Sequence, residues 1–338
     1  MLHYLILVFV WLTMVMATKR CPPQCSCYDS ADLVDCRARG LTHVPHGIPH
    51  GSWLLDLSWN EIPELRSRSF TGVWALKVLL SLNVAVLFHN EMQLLPPDFS
   101  EGLGSLKDLR MANNSLGHLE ASAFRGLESL QRLDLSHNCI QVLEPGMLQA
   151  LSSLRYLNLR WNLLEEVRVG TLTMQQGLAV LLLDHNNVTR IDAEAFAPLR
   201  SLTLLSLQGN RLFSVTFKTF LSLQTPGTHL QLSANPWLCD CELHRVFAKI
   251  LRVRRLHVDD YRNITCQAPP PLAGASLAYM DSQLCAAETA TVLVISVTVI
   301  VTVVFAIVMA ERNRKKRKSL RNQGKNWAEQ ESLDGQDR

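Results

Sequence analysis

LKDLRMANN (Leu106–Asn114) is followed by LQRLDLSHN (Leu130–Asn138), LRYLNLRWN (Leu154–Asn162), LAVLLLDHN (Leu178–Asn186) and LTLLSLQGN (Leu202–Asn210), all close to the phrase L-x-x-L-x-L-x-x-N. Asparagines 90, 114, 138, 162, 186 and 210 stand 24 residues apart each time. Side chains alternate along a strand, so in L-x-L the leucines face a core and the residues between them face out. One such strand cannot bury its leucines alone, and neighbouring repeats must stack theirs about 4.8 Å apart. Eight strands would span about 34 Å. The asparagine turns the chain out of the strand, where its amide is predicted to satisfy backbone groups of adjacent turns. Ten residues past Asn60, Asn114, Asn186 and Asn210 stand Phe70, Phe124, Phe196 and Phe220, a second mark in the same register.

This period and phrase are those of the leucine-rich repeat. They predict an α/β fold, a solenoid with a curved parallel sheet and about seven repeats over residues 51–234. One interval departs. Between Asn60 and Asn90 it is 30, and LKVLLSLNVAVLFHN (Leu76–Asn90) holds two registers, Leu76 and Leu79 in one, Leu82, Ala85, Leu87 and Asn90 in the other. The six extra residues read as a functional protrusion, an unusual splice product or a tolerated insertion.

Two apolar stretches set the routing. Tyr4–Ala17 makes only about 20 Å of helix, too short for a bilayer core of about 30 Å. With Val15 and Ala17 at the small positions of a cleavage site it reads as a signal peptide, residues 1–17, although the preceding residues offer only His3 as a positive group. Thr289–Ala310 has no charge and gives about 33 Å, enough to span. Arg312, Arg314, Lys315, Lys316, Arg317, Lys318 and Arg321 follow it, and the positive-inside rule holds them in the cytoplasm. The predicted product is a single-pass type I protein of the plasma membrane with an extracellular N-terminus and a basic tail, residues 311–338. That tail is +4 of the chain's +3, so residues 1–310 come to −1. Basicity confined to a tail argues against nucleic acid as partner. With 48% apolar and 19% charged residues, the chain is not a disordered one.

Nine cysteines fall as Cys21, Cys25, Cys27 and Cys36, then Cys139 alone, then Cys239, Cys241, Cys266 and Cys285. All lie on the side predicted to meet the oxidising lumen, where two sets of four imply four disulfides and zinc is the weaker alternative. Connectivity is not readable from spacing. Cys-x3-Cys-x-Cys-x8-Cys from Cys21, and NPWLCDC (Asn235–Cys241) with Cys266 and Cys285, resemble the cysteine caps of extracellular leucine-rich-repeat proteins. The resemblance implies a cap over residues 18–50 and another over 235–288, with Cys21 joined to Cys27, Cys25 to Cys36, Cys239 to Cys266 and Cys241 to Cys285. Caps of this kind keep the end repeats from exposing leucine edges to water.

The outward strand positions are predicted to include Asp56, Trp59, Arg110, Asp134, His137, Arg160, Trp161, Asp184, His185 and Gln208. Of these Trp59, Arg110, His137, Arg160, Trp161 and His185 form the candidate partner-binding set, an amphipathic patch on the concave face. The plain alternative is a solvated surface that happens to carry Trp and His. His137 and His185 are two periods apart, about 10 Å, too far to share a metal. Sequons stand at Asn113, Asn187 and Asn263. Asn187 shares its column with Glu61, Glu91, Ser115, Cys139, Leu163 and Arg211, which predicts an exposed Cys139, either a benign thiol or the link of a covalent dimer. No G-x-S-x-G, H-E-x-x-H or phosphate-cradling glycine loop occurs, so the reading is no enzyme and no cofactor.

Within the span, Thr298, Thr302, Ala306 and Ala310 form a four-residue stripe along which another helix could approach closely. The basic run after it is a topology anchor that would also attract anionic lipid of the cytoplasmic leaflet. Only Ala286, Ala287 and Glu288 separate Cys285 from the span, which predicts a repeat domain held close to the membrane. Signal peptide, short capped solenoid, one crossing and a tail opening on a basic cluster resemble the leucine-rich-repeat auxiliary (γ) subunits of the large-conductance calcium- and voltage-activated potassium channel. That resemblance implies a membrane-protein partner in cis whose gating is biased through Thr289–Ala310 and Arg312–Arg321. The other reading is an adhesion or ligand receptor acting in trans through its concave face.

Overall fold

The computed structural model describes residues 21–334 apart from 67, 71, 74, 77, 81–94, 121, 224, 226 and 281. The signal-peptide segment and most of the Leu76–Asn90 stretch lie outside the described residues. The chain divides into two units, Met1–Met280 and Asp281–Arg338.

In the first unit, β1 (Ser26–Tyr28) and β2 (Leu33–Asp35) form an antiparallel pair in the N-terminal cap. From β2 onward every neighbour in the main sheet is parallel: β3 (Leu54–Asp56), β4 (Val78–Leu80), β5 (Asp108–Arg110), β6 (Arg132–Asp134) and β7 (Tyr156–Asn158) follow in order. Short β8 (Glu166–Val167) and β10 (Arg190–Ile191) pair with each other outside it. The main sheet continues through β9 (Val180–Leu182), β11 (Leu204–Ser206) and β12 (Thr228–Gln231). The fold is a leucine-rich-repeat solenoid.

Register is one to one. The central residues Leu55, Leu109, Leu133, Leu157, Leu181, Leu205 and Leu230 are buried, and from Leu109 onward each lies beside its equivalent in the next repeat. Burying each leucine favours folding by roughly 1.5–3 kcal/mol. Phe70, Phe99, Phe124, Phe196 and Phe220 are buried on the other side of the same core.

The asparagines bind as their spacing predicts. Asn162 donates through Nδ2 to the carbonyls of Leu135 (2.9 Å) and Leu159 (3.1 Å), and its Oδ1 accepts from the Ile140 amide at 3.0 Å. Asn138, Asn186, Asn210 and Asn235 repeat the pattern, each bonding its own turn and the one before. Neighbouring repeats are thus joined by a buried polar seam as well as by the sheet.

After Asn235 the repeat gives way to β13 (Trp237–Leu238), with α1 (Phe217–Leu221) before it and α2 (Cys241–Arg252) after. Asp240 caps α2 by accepting from the Leu243 amide at 2.7 Å. Leu243, Val246, Phe247 and Ile250 give the helix its buried stripe, and Trp237 meets Phe247 edge to face at 5.8 Å. The cap then donates β14 (Leu256–Val258) to the main sheet beside β12, while β15 (Cys266–Ala268) pairs with β13. Disulfides join Cys21 to Cys27, Cys25 to Cys36 and Cys239 to Cys266. Cys241 and Cys285 are disulfide-bonded as well.

The second unit is one helix, α3 (Ser282–Asp334). Its segment Val292–Lys318 is long and apolar enough to cross a membrane. Thr298 and Thr302 each donate a hydroxyl to the carbonyl three residues back, Ile295 and Val299, both at 2.8 Å. The hydroxyls are satisfied within the helix, as an apolar surrounding requires.

Candidate protein-binding surface

On the sheet face opposite the core, side chains change character along the stack. Asp108 holds Arg110 through two hydrogen bonds of 2.9 and 3.2 Å and lies 3.8 Å from Arg132. The Arg132 guanidinium in turn sits 4.7 Å from the Tyr156 ring centre, a cation–π contact. Partial burial pushes the Tyr156 phenol above its ordinary range. Beyond Tyr156 the outward strand positions include Val180 and Leu204, half-buried, and Leu182 and the polar Ser206, buried. The far end is polar again, where His229 Nδ1 meets Asp259 Oδ1 at 2.7 Å and His257 lies 5.2 Å from His229, ring to ring.

A second feature lies where the strands end. Among the described residues, the residue just before a ladder asparagine adopts left-handed backbone, with φ of +64° at Trp59, +56° at Asn113, +54° at His137, +55° at Trp161, +54° at His185, +64° at Gly209 and +54° at Ala234. For a side chain as large as tryptophan this is a costly conformation, on the order of 1–3 kcal/mol. It is held by main-chain bonds between repeats: His137 donates its amide to the Arg160 carbonyl (2.9 Å), Trp161 to Asp184 (3.1 Å), His185 to Gln208 (2.9 Å) and Gly209 to Ser233 (3.1 Å).

Equal backbones stack equal positions. The Trp161 indole lies between two imidazoles, 5.6 Å from His137 at 11° and 4.1 Å from His185 at 8°. Trp161 is nevertheless 49% exposed, because its faces are covered and its edge is not. Gly209 closes the row. A Cβ there would come within 2.7 Å of His185 Nδ1. Gly209→Ala is therefore expected to displace the His185 ring, with a stability loss of about 1–2 kcal/mol from the left-handed backbone. The Trp161 indole N–H resonance, identified by its loss in Trp161→Phe, should shift; an unmoved resonance would contradict the stacked row.

The structure corrects the sequence reading of this patch. Only Asp56, Arg110 and Asp134 of the outward set lie in strands; Trp59, His137, Arg160, Trp161, Asp184, His185 and Gln208 lie in the turns beyond, since each strand ends before the third leucine of its phrase. Asp184 does not face out: its side chain is 2% exposed and accepts from Arg160 Nε at 2.5 Å. Arg160 is thereby engaged rather than offered. His137, Trp161 and His185 come together, with Trp161 interposed between the histidines. Trp59 is exposed in the same turn position, just before Asn60, and no ring contact joins it to this row among the described residues. Tyr156 and Gly209 join this surface from outside the set that the repeat pattern predicts. The period of 24 carries the signal for Gly209, which stands one repeat after His185.

Asn113 and Asn263 are exposed and Asn187 is partly so; Cys139 is an exposed free thiol. Arg312, Arg314, Lys315, Lys316, Arg317 and Lys318 are exposed along α3, which also contains Arg321. Thr298, Thr302, Ala306 and Ala310 lie exposed on the same helix. Among the described residues no three His, Cys, Asp or Glu side chains are grouped to hold a metal ion.

Comparison with known proteins agrees with this architecture. A leucine-rich-repeat family model matches residues 105–164 and 159–212. Leucine-rich repeat-containing G-protein coupled receptor 5A of Xenopus laevis is 37% identical over 100 residues, 29% of this chain and 10% of that protein. Human reticulon-4 receptor-like 2 is 30% identical over 120 residues, covering 35% and 27% respectively. Human amphoterin-induced protein 1 is 31% identical over 94 residues, covering 28% and 17%. The chain spans about a quarter or less of the length of these relatives. The crystal structure of human 5T4 (Wnt-activated inhibitory factor 1, trophoblast glycoprotein) superposes with a TM-score of 0.66 at 26% identity, covering 78% of this chain and 98% of that one.

Proposed function

We propose that this chain is a non-enzymatic cell-surface protein whose repeat domain lies outside the plasma membrane and binds a protein partner. The anchor is the His137–Trp161–His185 row, and the strand face from Arg110 to Leu204 is the surface beside it. The observation that carries this reading is an exposed tryptophan already fixed in one orientation, since a pre-ordered aromatic loses little freedom on binding and such residues supply much of the energy of protein interfaces. The similarity to membrane receptors supports it, as do disulfides and sequons on the repeat domain and basic residues beyond the span. Affinity purification of the full chain from membranes in mild detergent would supply the partner. Trp161→Ala should then weaken its binding about 30-fold or more, the factor for about 2 kcal/mol. Undiminished binding by a folded Trp161→Ala variant would remove the row from the interface.

A second reading, an auxiliary subunit regulating a potassium channel in the same membrane, draws on α3. The helix runs unbroken from Ser282 through the span to Asp334, so a partner touching it at any depth meets a continuous element. A regulator of this kind acts by contacting one conformation better than another. Replacing residues 286–321 by an unrelated span and tail should abolish such regulation while leaving binding at Trp161 intact; full regulation by the chimera would exclude this reading.

A further inference from the structure

We propose that Arg312, Arg314, Lys315, Lys316, Arg317 and Lys318 form a closed cationic collar around α3 that gathers anionic phospholipid headgroups of the leaflet from which the helix emerges. The inference rests on α3 being the membrane span and deepens that reading by naming what its basic end binds.

The argument starts from azimuth. At about 100° per residue, taking Arg312 as 0°, Lys316 falls at roughly 40°, Arg317 at 140°, Arg314 at 200°, Lys318 at 240° and Lys315 at 300°. No gap around the helix exceeds about 100°. All six side chains are exposed, and the helix is unbroken through them. Glu311, at roughly 260°, offsets part of one side only and leaves the rest of the circumference cationic.

A site for one acidic protein surface would place its charges within one face, because a partner approaching from one direction cannot reach the others. Lipid headgroups surround a spanning helix from every direction, and a charge distribution without a face matches that geometry. Depth agrees. Arg312 is two residues past the end of the uncharged stretch at Ala310, and Arg312–Lys318 covers about 9 Å of axis at about 1.5 Å per residue. The polar layer on each side of a bilayer core is roughly 5–8 Å thick. Arg312, Arg314 and Lys315 therefore fall within about 8 Å of that end, at headgroup level, and the long side chains of Lys316, Arg317 and Lys318 begin just beyond it.

The test uses the full chain reconstituted in vesicles of phosphatidylcholine containing phosphatidylserine, with spin-labelled lipids reporting the motionally restricted shell. Phosphatidylserine probes should be enriched about fivefold over phosphatidylcholine probes, and the enrichment should fall with added salt. Arg312→Gln with Lys316→Gln clears one side, and Arg314→Gln with Lys318→Gln clears the opposite side. Each pair should reduce the enrichment by a similar factor. Absence of enrichment in the unaltered chain overturns the proposal. So does abolition by one pair with no effect of the other, which would mark a one-sided face for an acidic protein. A chain released from the vesicles by alkaline carbonate would show that α3 does not span, and the collar would fall with it; a retained chain isolates the lipid question.

Discussion

Asn162→Ala should lower the unfolding free energy by about 3–5 kcal/mol, measured by urea denaturation of the purified chain in detergent with near-ultraviolet circular dichroism of the repeat domain as the signal. The asparagine is 4% exposed and serves three buried backbone groups at once, the carbonyls of Leu135 and Leu159 and the amide of Ile140. Alanine leaves each without its bond, and a buried group stripped of its partner costs about 1–3 kcal/mol. Asn162→Asp should not rescue. Its oxygen can still accept from Ile140, but it loses both donors and faces two carbonyl oxygens with a carboxylate. A loss below about 1 kcal/mol for the alanine variant would mean that the seam adds little to a stack held by leucines.

Cys239→Ser is expected to be comparably damaging, at about 3.5 kcal/mol from loop closure across the 27 residues that separate it from Cys266. The bridge fixes β15 next to β13, where the Cys239 amide donates to the Ala268 carbonyl at 2.7 Å, and it lies two residues from the buried Trp237. Release of this segment would uncover the last leucines of the repeat, so the variant should be retained during secretion and bind a hydrophobic dye. Cys21→Ser opens a link of only 6 residues and should cost about 2 kcal/mol. Thermal unfolding of the two variants checks the order; equal losses would show that loop length is not what the bridges contribute.

The fold was legible because its determinants are covalent. From Asn114 to Asn210 a period of 24 residues places the core leucines and the ladder asparagines without knowledge of a distant contact, and parallel pairing in one register follows from the stacking of equal units. The binding surface was less legible, for two physical reasons. Strands of three residues end earlier than the alternation of the phrase suggests, so His137, Trp161 and His185 pass from the expected strand face into left-handed turns. The sequence sets His137 and His185 two repeats apart, whereas the contact that matters runs through the residue of the repeat between them. Asp184 shows a third limit. Its polarity suggests solvent, but the charge of Arg160 lets it be buried, and that match depends on three-dimensional neighbours rather than on spacing.

The left-handed turns have a bearing on how this molecule can change over generations. Their geometry is set by amides and carbonyls, which every amino acid except proline supplies in full, so side chains of several kinds stand there despite a backbone cost of about 1–3 kcal/mol for those other than glycine. Asparagine, histidine, tryptophan, glycine and alanine already occupy the same bend in one chain. Mutation can therefore redraw what the rim recognises one rung at a time while the framework persists, and descendants of one such gene could acquire different companions without first inventing a new architecture.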